Sequence, residues 1–398
     1  MEEIEFSVMV HTPNTAQVLS GLLNEFQAQS GVRVNLTCLD WVTARAELNK
    51  SALYHYGPDV SEVGSTWAPD LISMNVLNPL LPHEIQGMVS ARDFAPASWE
   101  TVQMPGDPFP WALPWHAETY IIHYRKDLLQ KAGINEATAF QTHADLDATA
   151  LRLAEIGVPV PVELTLQTDR YGTLHALASW VWNYGGDFLS DDSKQLLLDQ
   201  PKAMQAIRAY FSLMRYANEE GRNAMREKIH TPLFHKGLSA ITFGTIRMAT
   251  PEGQLPREVA ENWGWASLPQ PCFVGGSNLV IWKHTRNKRA ALKLVEFLTK
   301  GSTLARSNPP LATLPPLLSV LKTPQFTENP MYTVMSSAIE RGRSYPHLRL
   351  WGLVEDKLVN ALLQIGADLL NSPTQGVDQI ITSQIEIVTR RISMMLSQ

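Results

Sequence analysis

Two hydrophobic periods alternate along the first part of the chain. Glu5 to Val10, Val32 to Cys38 and Pro58 to Val63 carry the period-two pattern of strands. Between them, Val18, Leu22, Leu23 and Phe26 fall at helical spacing until Gly31 stops the run, and Trp41 to Tyr54 is helical again. Trp67 to Met74 predicts a further helix after the stretch GPDVSEVGSTWAPDL. Strand-helix alternation with short connections predicts a mostly parallel sheet with helices on both faces. Trp67 then stands where a strand hands over to a helix, the position at which open α/β sheets bind ligands.

The middle of the chain is less regular. Pro79 to Pro114 is rich in proline and lacks a clear period, after which Glu118 to Lys126 reads as one strong strand. Helices are predicted after Asp127 up to Gly133, over Asp145 to Ile156, Thr173 to Asn183, Lys202 to Ala217 and Asn287 to Thr299. Leu238 to Phe243 and SNLVIWK read as strands, and Trp263 to Pro271 as a strand running out into a linker. Val354 to Leu396 is helical with a break at Asn371 to Pro373. The strands near residues 120 and 268 look like crossings between two lobes, which makes each lobe discontinuous in sequence. Paired crossovers of this kind go with hinge motion. The expected division is 1–117 with 272–320 as the N-terminal lobe, and 118–271 with 321–398 as the C-terminal lobe.

Composition narrows the class. A chain of 398 residues is long enough for two domains, and 44% hydrophobic with 18% charged residues is a globular profile. The net charge of −6, with no basic run beyond WKHTRNKRAALK, argues against a nucleic-acid partner. No apolar run reaches bilayer length, and MEEIEFSVMV has no basic start, apolar core or small-residue cleavage site. The protein is therefore either cytosolic or a mature exported form with an added Met1. Cys38 and Cys272 are too few for a disulfide framework, and two reduced buried thiols are expected over a single bridge.

The motif search excludes several chemistries. The chain has no phosphate-binding P-loop, no G-x-G-x-x-G dinucleotide fingerprint, no G-x-S-x-G elbow and no H-E-x-x-H. His116 and Glu118 alternate on a strand and are read as a polar lining rather than metal ligands, because zinc sites use more ligands at definite spacings. Asp187, Asp191 and Asp192 follow Gly185-Gly186 and fit turn chemistry and helix capping. No cofactor, metal or catalytic residue is expected. Carboxylate pairs for glycoside cleavage stay open, since they pair in space and not in sequence. Eleven tryptophans is a high count, and Trp41, Trp67, Trp111, Trp115, Trp182 and Trp351 lie near Gly, Pro or Asp rather than in clean apolar periodicity. Each needs cover, from a packed core or from a ligand. An indole face suits the C–H face of a sugar ring, with neighbouring carboxylates serving its hydroxyls. Trp67 with Asp70 and Trp115 with Glu118 have that arrangement.

At these residues the chain resembles the carbohydrate-binding extracellular solute-binding proteins of bacterial ABC transporters, the group that includes maltose-binding protein. GPDVSEVGSTWAPDL, LPWHAETYIIHYRKDLLQKAGI, WVWNYGGDFL, LFHKGLSAITFGTIRM, FVGGSNLVIWKHTRNKRAALKLVEFLTK and RSYPHLRLWGLVEDKL are similar to successive segments of that family. The resemblance implies an α/β, two-lobed type II periplasmic-binding-protein fold that closes by hinge motion on a mono- or oligosaccharide held in an interlobe cleft. It implies sugar contacts at Trp67, Asp70, Glu118, Tyr171 and Trp351, with Trp182 and Asp169 as further candidates. The loop His11 to Asn14 and Trp41 follow the first two strands and are expected to line the site. Where the family often has a tryptophan after ITFG, this chain has Thr245, Ile246 and Arg247, so Arg247 is expected to supply a polar contact. The resemblance further implies a monomer delivering its ligand to ABC permease subunits outside the cytoplasm, although no lipobox cysteine is found near the N-terminus. A sensor domain of the same fold, a sugar-active enzyme, and a ligand such as a polyamine, phosphonate or iron are the alternatives.

Overall fold

A computed structural model of the chain describes residues 2–166, 171–227, 231–250, 254–371 and 376–397. The chain forms two compact units, one of Met1–Glu118 and Val274–Gly352, the other of Thr119–Phe273 and Leu353–Gln398. This differs from the division expected from sequence over residues 321–352, which cluster with the first unit.

The first unit is built on a five-stranded sheet in the order β2-β1-β3-β9-β4. Here β1 is Glu2–Met9, β2 Val32–Leu39, β3 Val60–Gly64, β4 Leu113–Thr119 and β9 Val274–Ile281. Strand β1 runs parallel to both β2 and β3, from Glu2 beside Val32 to Met9 beside Leu39. Its second half is buried from Phe6 to Met9, as expected for a strand covered on both faces. Helix α1, Thr15–Ser30, buries Leu19, Leu22, Leu23 and Phe26, and Gly31 ends it in a left-handed conformation. Helix α2, Trp41–Tyr54, starts where the Asp40 side chain accepts from the Val42 amide. Helix α3, Ala68–Ser73, has Pro69 in its first turn.

Two expectations need correction. The sheet is mixed rather than mostly parallel, because β9 runs antiparallel to β3, Gly64 facing Ser277 and Val60 facing Ile281. A helical crossover between neighbouring strands enforces parallel pairing, but β9 re-enters the first unit from the second and is free of that constraint. The single strand expected over Glu118 to Lys126 is two strands. β4 ends at Thr119 and β5, Ile121–Arg125, begins after the single residue Tyr120, in the other unit's sheet.

The second unit has a four-stranded sheet in the order β6-β7-β5-β8, where β6 is Val160–Glu163, β7 Ser239–Gly244 and β8 Trp263–Ala266. β6 and β7 are parallel, while β5 runs antiparallel to both β7 and β8. The helix Gly172–Asn183 buries every residue from Gly172 to Trp182 except His175, so it is covered on nearly all sides and central. Trp180 on it meets Tyr210 and Phe243 edge-on, with ring centres 5.1 and 4.9 Å apart. The buried Glu163 carboxylate accepts from the amides of Leu233 and Phe234 at 2.8 and 2.9 Å and from the Ser239 hydroxyl at 3.2 Å, which fixes the start of LFHKG to β6. The helical tail is Trp351–Asn371 followed by Val377–Leu396.

Both cysteines are free thiols. Cys272 is buried, but Cys38 is only half-buried, contrary to expectation, because β2 is an edge strand.

Candidate ligand-binding site

Three strand ends in the first unit bring an aromatic group together. After β1 the chain turns at His11, whose amide donates to the Thr15 hydroxyl at 3.0 Å. After β2, Asp40 caps α2 and leaves Trp41 as its first residue. After β3, Ser65-Thr66 leads to Trp67, whose amide donates to the Gly64 carbonyl at 2.9 Å. The Trp41 and Trp67 rings meet edge to face at 5.7 Å, and His11 meets Trp41 edge to face at 5.6 Å. Trp41 is half-buried, whereas Trp67 is only 8% exposed. Trp67 packs with Ala68, Leu71, Val76, Leu77 and Trp282, so much of its indole serves the core beneath α3. Trp41 is the more available face of the corner.

Asp70 has a different set of partners from the one expected. Arg45 Nη2 lies 3.0 Å from its Oδ2, and Arg45 Nη1 donates to the Gly352 carbonyl at 3.1 Å. Burial lifts the Asp70 carboxyl above its ordinary range, against the pull of Arg45 and the amides of Leu350 and Gly352. The carboxylate thus ties α3 to the turn that holds Trp351. Trp351 is 1% exposed and packs against Tyr345 with ring centres 4.7 Å apart. A Cβ on Gly352 would lie 1.6 Å from Arg45 Nη2. Gly352→Ala is accordingly expected to displace Arg45 and strand the half-buried Asp70, at about 1–3 kcal/mol in a urea titration. An unchanged midpoint would contradict this anchoring role.

The remaining candidates fall in both units. Glu118 is partly exposed near the end of β4, and Asn14 is exposed just before α1. In the second unit the Tyr171 hydroxyl donates to Asp356 at 2.9 Å, and its ring lies near-parallel to His175 at 6.1 Å. His175 stacks on Phe273 at 4.2 Å and 1°, with the buried Glu355 carboxylate 3.9 Å from its Nε2. Trp182 is 6% exposed and meets Phe188 edge-on at 5.9 Å. Arg247 is partly exposed in the short turn Ile246–Ala249, where its amide donates to the Thr245 hydroxyl at 3.3 Å. Asp169 lies outside the described residues. Asp192 accepts from Ser190 and Lys194 and Asp187 from the Phe188 amide, the turn chemistry expected for that cluster.

Sequence reasoning missed a buried polar group beside the aromatic corner. His11 Nε2 lies 2.7 Å from Glu62 Oε1, and the other Glu62 oxygen accepts from the Met9 amide at 2.7 Å. His116, on β4, places its ring 5.0 Å from that of His11. Burial would raise the Glu62 carboxyl, but His11 and His116 outweigh it and bring it down to about 2. The available signal was Glu62 itself, a carboxylate between Val60 and Val63 in a strand, which requires a charge partner once buried. His175 and Phe273 were missed too, for want of any spacing that links them.

A family model described as bacterial extracellular solute-binding protein matches residues 21–334. A probable ABC transporter-binding protein of Deinococcus radiodurans is 26% identical over 244 residues, a match spanning 58% of this chain and 58% of that protein. The solved structure of the sugar-binding protein MalE of Xanthomonas citri superposes with a TM-score of 0.82 at 21% identity, covering 99% of this chain and 97% of that one. UgpB of Mycobacterium tuberculosis, solved with glycerophosphocholine, superposes with a TM-score of 0.77 at 18% identity over 100% and 98%. The fold is therefore that of the two-lobed periplasmic binding proteins, with mixed sheets. The matching family and these relatives are binding proteins rather than enzymes.

Proposed function

Because the chain belongs to the bacterial extracellular solute-binding protein family, we propose that it reversibly captures a mono- or oligosaccharide outside the cytoplasm and delivers it to the permease of an ABC transporter. The observation that carries the carbohydrate class is the corner formed by Trp41 and Trp67 at the ends of β2 and β3. The half-buried Trp41 indole, backed by the buried Trp67, covers an apolar C–H face of a pyranose, and the nearby loop after β1 offers polar groups for its hydroxyls. The sugar-binding protein of Xanthomonas citri supports the same class, and the transporter-binding protein of Deinococcus radiodurans supports the permease partner. Capture of this kind is binding alone, so the chain leaves its ligand chemically unchanged. Among the described residues no helix is long and apolar enough to cross a membrane, and the membrane step belongs to the permease. Asp70, Glu118, Tyr171 and Trp351 remain proposed contacts, as do Arg247, Asn14 and Trp182.

A second reading has one specific support. An edge-to-face tryptophan pair also receives a quaternary ammonium by cation–π attraction, and UgpB was solved with glycerophosphocholine. Thermal unfolding against a panel of saccharides and glycerophosphodiesters separates the two. A ligand at about a hundred times its dissociation constant stabilises the native state by roughly 2.7 kcal/mol. A saccharide is expected to give the shift, and Trp41→Ala to weaken its binding by about ten- to a hundredfold, the worth of roughly 1–3 kcal/mol of stacked apolar surface. A shift with the diester alone would replace the sugar, and a saccharide shift untouched by Trp41→Ala would move the site elsewhere.

A further inference from the structure

We propose that His11, Glu62 and His116 form a binding site for one divalent metal ion of the zinc class, just beyond β1 and within β3 and β4. The three residues come from separate strands or strand ends of the same unit. One donor atom from each lies within 4.8 Å of the others. Two imidazoles and a carboxylate are a borderline donor set that suits zinc and its first-row neighbours. A tetrahedral ion with bonds of about 2.0–2.1 Å holds its ligand atoms about 3.3 Å apart. The triad therefore closes on an ion with movements of about an ångström or less at each side chain, the His11–Glu62 contact opening slightly and His116 drawing in.

The surroundings are those of a ligand set already oriented. Asn308 Nδ2 donates to the Leu304 carbonyl at 2.9 Å, which turns its Oδ1 toward His116. His116 Nδ1 lies 3.1 Å from that oxygen and so carries the proton, leaving Nε2 as the lone-pair nitrogen. The Thr313 hydroxyl donates to the same Asn308 oxygen at 2.9 Å and holds it in place. Metal-ligating histidines are oriented by this kind of bond from the second ring nitrogen to a carbonyl oxygen. Glu62 is held through its other oxygen by the Met9 amide. All three side chains are nearly or fully buried: those of His11 and Glu62 are 2% and 0% exposed, and His116 as a residue is 3%. In the metal-free form a proton sits between His11 Nε2 and Glu62 Oε1. The ion takes that proton's place and leaves one coordination position for water or a ligand oxygen.

The site is independent of the proposed carbohydrate, and its test uses metal ions alone. The full chain, stripped with a chelator, is titrated with cobalt(II) as a spectroscopic stand-in for zinc. One equivalent per chain is expected, with the strong visible bands of four- or five-coordinate cobalt, bleached by one equivalent of zinc. His11→Gln and His116→Gln are each expected to lower zinc affinity at least about a hundredfold, and Asn308→Ala, which only orients His116, by about ten- to a hundredfold. His55→Gln, at an exposed histidine, should change nothing. Weak six-coordinate bands without a stoichiometric end point would overturn the site, and this arm needs only the wild-type chain if a variant fails to fold. Affinity that survives His11→Gln and His116→Gln in folded protein would overturn it equally, by placing the ion on the surface.

Discussion

Gly276→Ala is expected to cost more than about 3 kcal/mol of stability. Gly276 has φ +128°, a conformation that a side-chain-bearing residue adopts only with strain. A Cβ there would lie 2.0 Å from the His116 carbonyl oxygen and 2.8 Å from its carbonyl carbon. Those atoms are the backbone of β4, which lies beside β9 in the sheet, so neither strand can yield without giving up its pairing. Backbone strain of roughly 1–3 kcal/mol and overpacking of about the same size act together. Because β4 carries His116 and Glu118, the candidate site is deformed along with the sheet. Chemical denaturation of the purified variant measures the loss. A midpoint within error of wild type would mean that β9 and β4 do not approach this closely.

Acid is expected to destabilise the second unit well before ordinary carboxylates titrate. His123 on β5 is fully buried, its Nδ1 accepting from Trp263 Nε1–H at 3.1 Å and its Nε2 facing the Gly244 carbonyl at 3.2 Å. That arrangement fits the neutral ring. Burial lowers its pKa from 6.5 to about 3, His235 adding to the effect and the Gly244 and Thr245 backbone opposing it. In the unfolded chain the ring takes up a proton below about 6.5, while the folded chain resists until about 3. Stability is therefore at its full value above pH 6.5 and falls as the pH drops toward 3. The loss by pH 4 is on the order of 3 kcal/mol. His143, which burial lowers to about 4, adds to the same slope. Urea titrations at pH 7, 5.5 and 4 test the slope in wild type and in His123→Gln, which should flatten it by close to one proton. An identical slope in the variant would remove His123 as its source.

Much of the architecture could be read because it is local. The strands and helices up to Ser73 announce themselves by period, by Asp40 at a helix cap and by Gly31 at a helix end. The aromatic corner was half-legible, since Trp41 and Trp67 both follow strands in an α/β alternation. What failed was non-local. The break at Tyr120 has no proline or glycine to mark it and exists because β4 and β5 belong to different sheets. The antiparallel entry of β9 depends on where the chain returns, which no window of sequence contains. The tie of the Asp70 carboxylate to Arg45 and the turn at 350–352 likewise joins residues far apart in sequence. Glu62 is 51 and 54 positions from His11 and His116, so only the sheet brings the three together.

The central claim is reversible capture of a carbohydrate. Its most direct test is equilibrium dialysis of the purified chain against labelled mono- and oligosaccharides, with the sugar recovered and analysed afterwards. The account predicts saturation at one saccharide per chain, weakened by Trp41→Ala, and recovery of the sugar chemically intact. No binding at millimolar sugar, or recovery of cleaved or modified sugar, would contradict it.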